Sequence, residues 1–140
     1  MKRPVTLAAL AVVVLAIPGA SAALTPPVIR EPWTPLPCPE HPKSTIEIEG
    51  CLEKAIVQSD RRIDKRVRRI FALLRHRRDR VTFNQGQRAW LRYRRRSCSA
   101  EASVYRGGSA EPVAFLSCEK RRNARHIADL VETERILRQG

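Results

Sequence analysis

Four cysteines, three histidines and a dense run of arginines are the residues of this chain with chemistry to offer. Cys38, Cys51, Cys98 and Cys118 are an even number, which allows two disulfides or a thiolate metal site. A zinc site built on Cys38, His41 and Cys51 would have no Cys-x-x-Cys pair and no evident fourth ligand, so no metal is expected. His41, His76 and His126 lie outside any His-Glu-x-x-His arrangement, and no serine sits in a nucleophile elbow. All three histidines read as surface residues. Glu47 and Glu49 fall where a helix begins and complement its dipole; nothing singles out a pair of glycosidase carboxylates. There is no glycine-rich phosphate loop and no dinucleotide fingerprint. The chain reads as a non-enzymatic binding protein without a cofactor.

The arginines are the strongest chemical signal. Residues 61–96 hold fifteen Lys or Arg against only Asp64 and Asp79, a net +13 that equals the net charge of the whole chain. The densest runs are 65–69 and 92–96. A solvated helix face ordinarily mixes signs, because like charges one turn apart destabilise a helix. A one-signed face suits a polyanion, and guanidinium groups bind phosphate and carboxylate bidentately. Arg92, Arg95 and Arg96 are the candidate contacts. Replacing them and Arg94 by Gln is expected to leave the fold intact, although Arg94 also has a second reading, packing against the first helix.

The elements that must position these residues follow from the order of apolar, small and proline residues. Residues 1–22 have a basic start at Lys2 and Arg3, an apolar run from Leu7 to Ile17, and Ala20-Ser21-Ala22. That is the order of a secretory signal peptide, and the run is too short to span a bilayer. Residues 23–43 form a proline-rich extended arm: seven prolines between 24 and 42 forbid a helix. Trp33 lies within the arm and is expected to dock on the helical core.

Residues 44–140 form the helical domain. Ser44 and Glu47 have capping-box spacing. Ile48, Leu52, Ile56, Ile63, Val67, Ile70 and Leu74 then make one stripe of a helix over about 45–77. Thr82 and Gln85 have the spacing of a second capping box, for a helix reaching about residue 99 with Trp90, Leu91, Tyr93 and Cys98 on its inner face. Residues 100–110 read as a loop around Gly107 and Gly108. Pro112 opens a third helix, with Leu116, Ile127, Leu130, Val131 and Leu137 inward. The fold class is an all-α bundle of about three helices.

Export makes disulfides the default use of the cysteines and places the protein in the periplasm or outside the cell. Three pairings are possible; Cys38–Cys51 and Cys98–Cys118, which close short loops, are preferred. The signal peptide also argues against nucleic acid as partner. The polyanions available to an exported protein are lipopolysaccharide, acidic glycans and lipid headgroups.

Gln87-Arg88-Ala89-Trp90-Leu91, followed by Tyr93-Arg94 and Cys98, resembles the central motif of the LprI-like lysozyme inhibitor family. Cys38 and Cys51, Asp60, the Gly107-Gly108-Ser109 loop, Cys118 and Leu130 extend the resemblance over residues 38–130. The family's Leu-Asn-x-x-Tyr is replaced by Ile63-Asp64-Lys65-Arg66-Val67, Arg95 stands where an Asp is usual, and the usual Thr-x-x-Arg falls near Asn123 and His126. The resemblance implies a small exported helical domain that blocks a lysozyme or muramidase cleft sterically. Arg106, Gly107 and Gly108, in the loop at 105–110, are then the candidate contacts. Trp90 is expected inside the bundle as a structural residue. The strong positive charge argues against a strongly basic lysozyme as target and keeps the anionic envelope component as the alternative partner.

Overall fold

The computed structural model describes residues 24–31, 33 and 36–139; the signal peptide expected over residues 1–22 lies outside these. Three helices follow the arm: α1, Thr45–Leu73; α2, Arg77–Ala102; and α3, Ala110–Gln139. No strand occurs among the described residues, and the domain is the all-α bundle that the periodicity implied. The α1 start is the expected capping box: Ser44 Oγ accepts from the Glu47 N–H, and the Glu47 carboxylate accepts from the Ser44 N–H at 3.0 Å. The Lys43 N–H, at 2.6 Å, and the Ser44 N–H hold the Glu47 carboxyl below the usual carboxylate range.

The second helix begins earlier than its sequence suggests. The chain leaves helical geometry at Leu74, which turns inward to the apolar core, and resumes at Arg77 with His76 as N-cap. The Leu74 carbonyl accepts from Arg80 Nε at 2.8 Å, so a side chain closes the three-residue corner without Gly or Pro. Thr82 is therefore inside α2 and caps nothing. At its other end α2 runs on to Ala102 and passes through a 3₁₀ turn, Ser103–Tyr105. Gly107 then adopts φ 78°, a left-handed conformation that favours glycine.

α3 packs along α1 and more briefly against α2, whereas α1 and α2 make little backbone contact with each other. The arm lies between those two. Ile29 N–H donates to Asp64 of α1 at 3.1 Å, and the Thr25 carbonyl accepts from Asn84 of α2 at 2.9 Å. From there the arm runs back along α1 to the Cys38–Cys51 disulfide. Cys98–Cys118 ties α2 to α3, so the two short-loop pairings are the ones formed.

The apolar core is Ile63, Val67, Ile70 and Leu130, with Ile29, Leu74, Phe83, Trp90, Ile127 and Leu137 against it. Ile56 and Leu116 are buried further toward the disulfide end. Three expected inner residues are outside: Ile48, Val131 and Tyr93 are exposed, Tyr93 by 52%. Ile48 lies in the first turn, beyond the cover of the other helices, and Val131 sits one position past the inward Leu130. Tyr93 instead lies under the Arg122 guanidinium, 5.3 Å from its ring centroid.

Gly50 is buried where the arm crosses α1, and a Cβ there would collide with backbone atoms of Leu36 and Pro37. Gly86 faces open space in mid-helix. Gly50→Ala should therefore lower the unfolding free energy by about 1–3 kcal/mol through overpacking. Gly86→Ala should raise it by about 1 kcal/mol through helix propensity. Urea denaturation of both variants checks the pair; equal effects would contradict the arm's placement.

Candidate functional site

α2 directs Gln87, Trp90, Arg94 and Cys98 inward at steps of three and four, one side of a helix. α1 presents Ser59 and Asp60 at the same level, and α3 presents Glu119, Asn123 and His126. These polar side chains occupy positions that the apolar stripe would otherwise fill.

Arg94 is the centre of this layer and has no solvent exposure. Its Nη1 donates to Asp60 Oδ1 at 2.8 Å and to Asn123 Oδ1 at 2.7 Å. Its Nη2 donates to Glu31 of the arm at 2.7 Å, and Nε lies 3.5 Å from Glu119 Oε1. Asn123 Nδ2 returns hydrogen bonds to Ser59 Oγ at 2.7 Å and Asp60 Oδ1 at 2.8 Å. One guanidinium thus serves three carboxylates and four elements.

Three carboxylates against one cation leave an excess of negative charge out of water, and the pKa values respond. Burial pushes the Asp60 carboxyl up, against the pull of Arg94. Burial also raises Glu119 to about 7; Arg94 opposes this, and the charges of Glu31 and Asp60 reinforce it. Glu119 Oε2 and Arg94 Nε have no hydrogen-bond partner.

One turn away, His126 Nε2 and Gln87 Oε1 are 2.9 Å apart, so the ring donates to the amide oxygen. The imidazole stacks on Trp90 with centroids 3.7 Å apart and planes at 12°. Burial, assisted by the Arg94 charge, lowers its pKa to about 4, and the ring is neutral at neutral pH. His126 is therefore buried, which corrects the surface reading from sequence: its neighbours Gln87 and Trp90 come from another helix. Trp90 is half-buried, between His126 and Arg94, whose guanidinium lies 5.2 Å from the indole centroid.

The candidate residues fall in three places. Gln87 and Arg94 are buried and Trp90 is half-buried beside them, so Arg94 does not belong to the cationic face, and removing it cannot be neutral. Arg88, Ala89, Arg92 and Arg96 are on the outer side of α2 with Arg95, whose side chain is 70% exposed and 3.9 Å from Glu31. Arg106, Gly107 and Gly108 are in the α2–α3 loop, beyond the Cys98–Cys118 bridge.

That loop is held by its own backbone. Gly108 N–H donates to the Tyr105 carbonyl at 2.9 Å, Glu111 N–H to the Gly108 carbonyl at 3.1 Å, and Gly107 N–H to the Glu111 carboxylate at 2.8 Å. Val104 and Tyr105 are 80% and 51% exposed at its tip.

Sequence reasoning missed Glu31, Glu119, Asn123 and the inward His126. Their signal was polar residues at inner-stripe positions, such as Asn123 and His126 between Leu116 and Leu130. No group of three or more His, Cys, Asp or Glu among the described residues has metal-binding geometry. The layer offers shape and rigidity, with no exposed nucleophile.

Fold and site together define a small helical domain stapled by two disulfides and built on a buried arginine cluster. Residues 38–130 match the family described as Lysozyme inhibitor LprI, and the chain belongs to that family. No curated protein and no solved structure matches the chain.

Arg94→Gln should destabilise the protein by about 3–5 kcal/mol, because it strands buried carboxylates. Arg92→Gln, Arg95→Gln and Arg96→Gln together should change stability by less than about 1 kcal/mol. Thermal unfolding of the two proteins separates the internal arginine from the external ones.

Glu119 carries a pH signature. Its folded pKa of about 7 lies above the ordinary 4.5, so the folded protein keeps a proton that the unfolded chain has released. Its contribution is full below that ordinary value and is lost as the pH rises through the folded one. His126 acts oppositely: with a folded pKa near 4 against 6.5, its contribution is lost as the pH falls through that window. Glu119→Gln removes only the first dependence. The melting temperature of the variant minus that of wild type should rise between about pH 5 and about pH 8. Parallel curves would contradict the buried, proton-holding carboxyl.

Proposed function

We propose that this protein is a non-enzymatic inhibitor that seats its α2–α3 loop in the cleft of a muramidase. The observation that carries the reading is the exposed Val104-Tyr105 tip beside Arg106, on a backbone fixed by three hydrogen bonds and footed on a disulfide. A preorganised loop loses little entropy on binding, and an arginine at its tip suits the carboxylates of a glycosidase cleft. Family membership supports the same reading. The two disulfides fit an exported protein. The protein's positive charge favours a less basic muramidase, because two basic proteins repel at long range.

A second reading, binding of lipopolysaccharide or another anionic envelope component, is favoured by one observation. Apart from Asp79 in the first turn of α2, the acids near the cationic hairpin are spent internally. Asp60, Glu31 and Glu119 face Arg94, Asp64 accepts from the arm, and Glu134 accepts from Arg66 and Arg138. Arg95 lies 3.9 Å from Glu31 with most of its side chain exposed, and Arg88, Arg92 and Arg96 are left to solvent or a partner.

Inhibition of cell-wall lysis by a muramidase of low isoelectric point tests the first reading. Tyr105→Ala with Arg106→Gln should weaken inhibition at least about tenfold, the worth of one desolvated contact, and should do so equally at low and high salt. The Arg92, Arg95 and Arg96 to Gln variant should retain inhibition. Lipopolysaccharide binding that falls steeply with salt and is lost only in that arginine variant, with no inhibition by wild type, would favour the second reading.

A further inference from the structure

We propose that residues 24–31 of the arm form a proton-controlled latch: Glu31 stays on Arg94 while Glu119 is protonated and leaves when Glu119 ionises. The geometry of the cluster leads to this reading. Arg94 Nη1 serves Asp60 and Asn123, and Nη2 serves Glu31. Glu119 is the carboxylate served worst: Nε lies 3.5 Å from its Oε1 without a hydrogen bond, and its Oε2 has no partner. Glu31 and Glu119 line one small cavity of about 110 Å³, with Trp33, Arg95 and Phe115. A proton on Glu119 removes one of three negative charges from this space. Without it, three carboxylates face one buried guanidinium, because Arg95 is mostly in water and screened.

Of the three, Glu31 is the one able to leave. Asp60 is held by Arg94 and Asn123 between α1 and α3, and Glu119 follows Cys118, whose disulfide fixes α3 to α2. The Glu31 side chain keeps 18% exposure and sits on a segment with neither helix nor strand. Besides the Arg94 contact, two hydrogen bonds hold that segment, Ile29 N–H to Asp64 and Asn84 to the Thr25 carbonyl. Further along, the Cys38–Cys51 disulfide and the close approach at Gly50 keep the arm on α1, so the movement is local.

The coupling is reciprocal. Burial raises the Glu119 pKa to about 7, and the Glu31 and Asp60 charges reinforce this against the pull of Arg94 and Arg95. If docked Glu31 helps to hold the Glu119 proton, loss of that proton weakens Glu31 docking by the same factor. Ionised Glu119 also competes for Arg94. The latch therefore holds below the Glu119 midpoint and loosens as the pH rises through it. The other titrating groups at this interface act differently. His126, with a pKa of about 4, is neutral throughout. Asp64, raised by burial, accepts from Ile29 and would tighten the arm on ionising. Asp60, also raised by burial, would leave its own pH dependence in a Glu119→Gln variant.

The test follows amide hydrogen exchange of Ile29 in the arm and Ile63 in the α1 core, as protection relative to an unstructured chain, from about pH 5.5 to about pH 8. Ile29 should be less protected than Ile63 throughout, because the arm opens without the helices. Its protection should fall about tenfold across this range in wild type and stay level in Glu119→Gln. Glu31→Gln should lower the Glu119 midpoint by about one pH unit, the same tenfold, read from the carboxyl carbon by NMR. Level Ile29 protection in wild type, or a fall that persists in Glu119→Gln, would overturn the latch. So would exchange of Ile29 only in step with Ile63, or a Glu119 midpoint unmoved by Glu31→Gln.

Discussion

A guanidinium with no access to water needs its charge balanced from within, and Arg94 sets that requirement for the whole domain. Asp60, Glu119 and Glu31 answer it from α1, α3 and the arm. A buried ion cluster is weak evidence for net stability, since desolvation offsets most of its Coulombic gain. Its effect is on specificity. An alternative packing of the helices would leave at least one charge unpaired, and that cost excludes it. The arm belongs to this set as fully as the helices do, because Glu31 takes one of Arg94's two Nη positions.

The same requirement sorts the chain's charges. Acids are drawn toward the inside, where they meet Arg94, the arm's backbone and the lower end of α3. Bases are left on the surface of α1 and α2. The net positive charge of the exterior is thus partly a by-product of an interior that consumes carboxylates. Family membership and the surface follow different rules here. The Gln-Arg-Ala-Trp segment contributes Gln87 and Trp90 to the interior, while Arg88 and Ala89 on the same segment face outward.

Helix number, the arm, the first capping box and the disulfide pairing were legible because each rests on local rules: periodicity, proline, side-chain capping and short loop closure. The α1–α2 corner was not, because Leu74 turns by satisfying its carbonyl with Arg80 rather than by using Gly or Pro. The polar layer was half legible. Gln87, Trp90 and Arg94 stood out as a motif, but Glu31 lies 63 residues from Arg94 in a segment read only for its prolines. Tyr93 was misplaced because a helix carrying few apolar residues defines its inner face poorly, and here that face is defined by Gln87, Arg94 and Cys98 instead.

The position of the arm has a consequence for the order of events as the chain is made. The arm precedes α1, α2 and α3, yet its partners Asn84 and Arg94 lie 59 and 63 residues downstream of Thr25 and Glu31. The arm therefore cannot complete its contacts until α2 has followed it. Such distant pairings are slow to close. Until then its contacts to α2 stay unmade, and its prolines deny it a helix or a strand edge for other chains to join. Proline content in the arm thus serves the unfinished protein as well as the finished one.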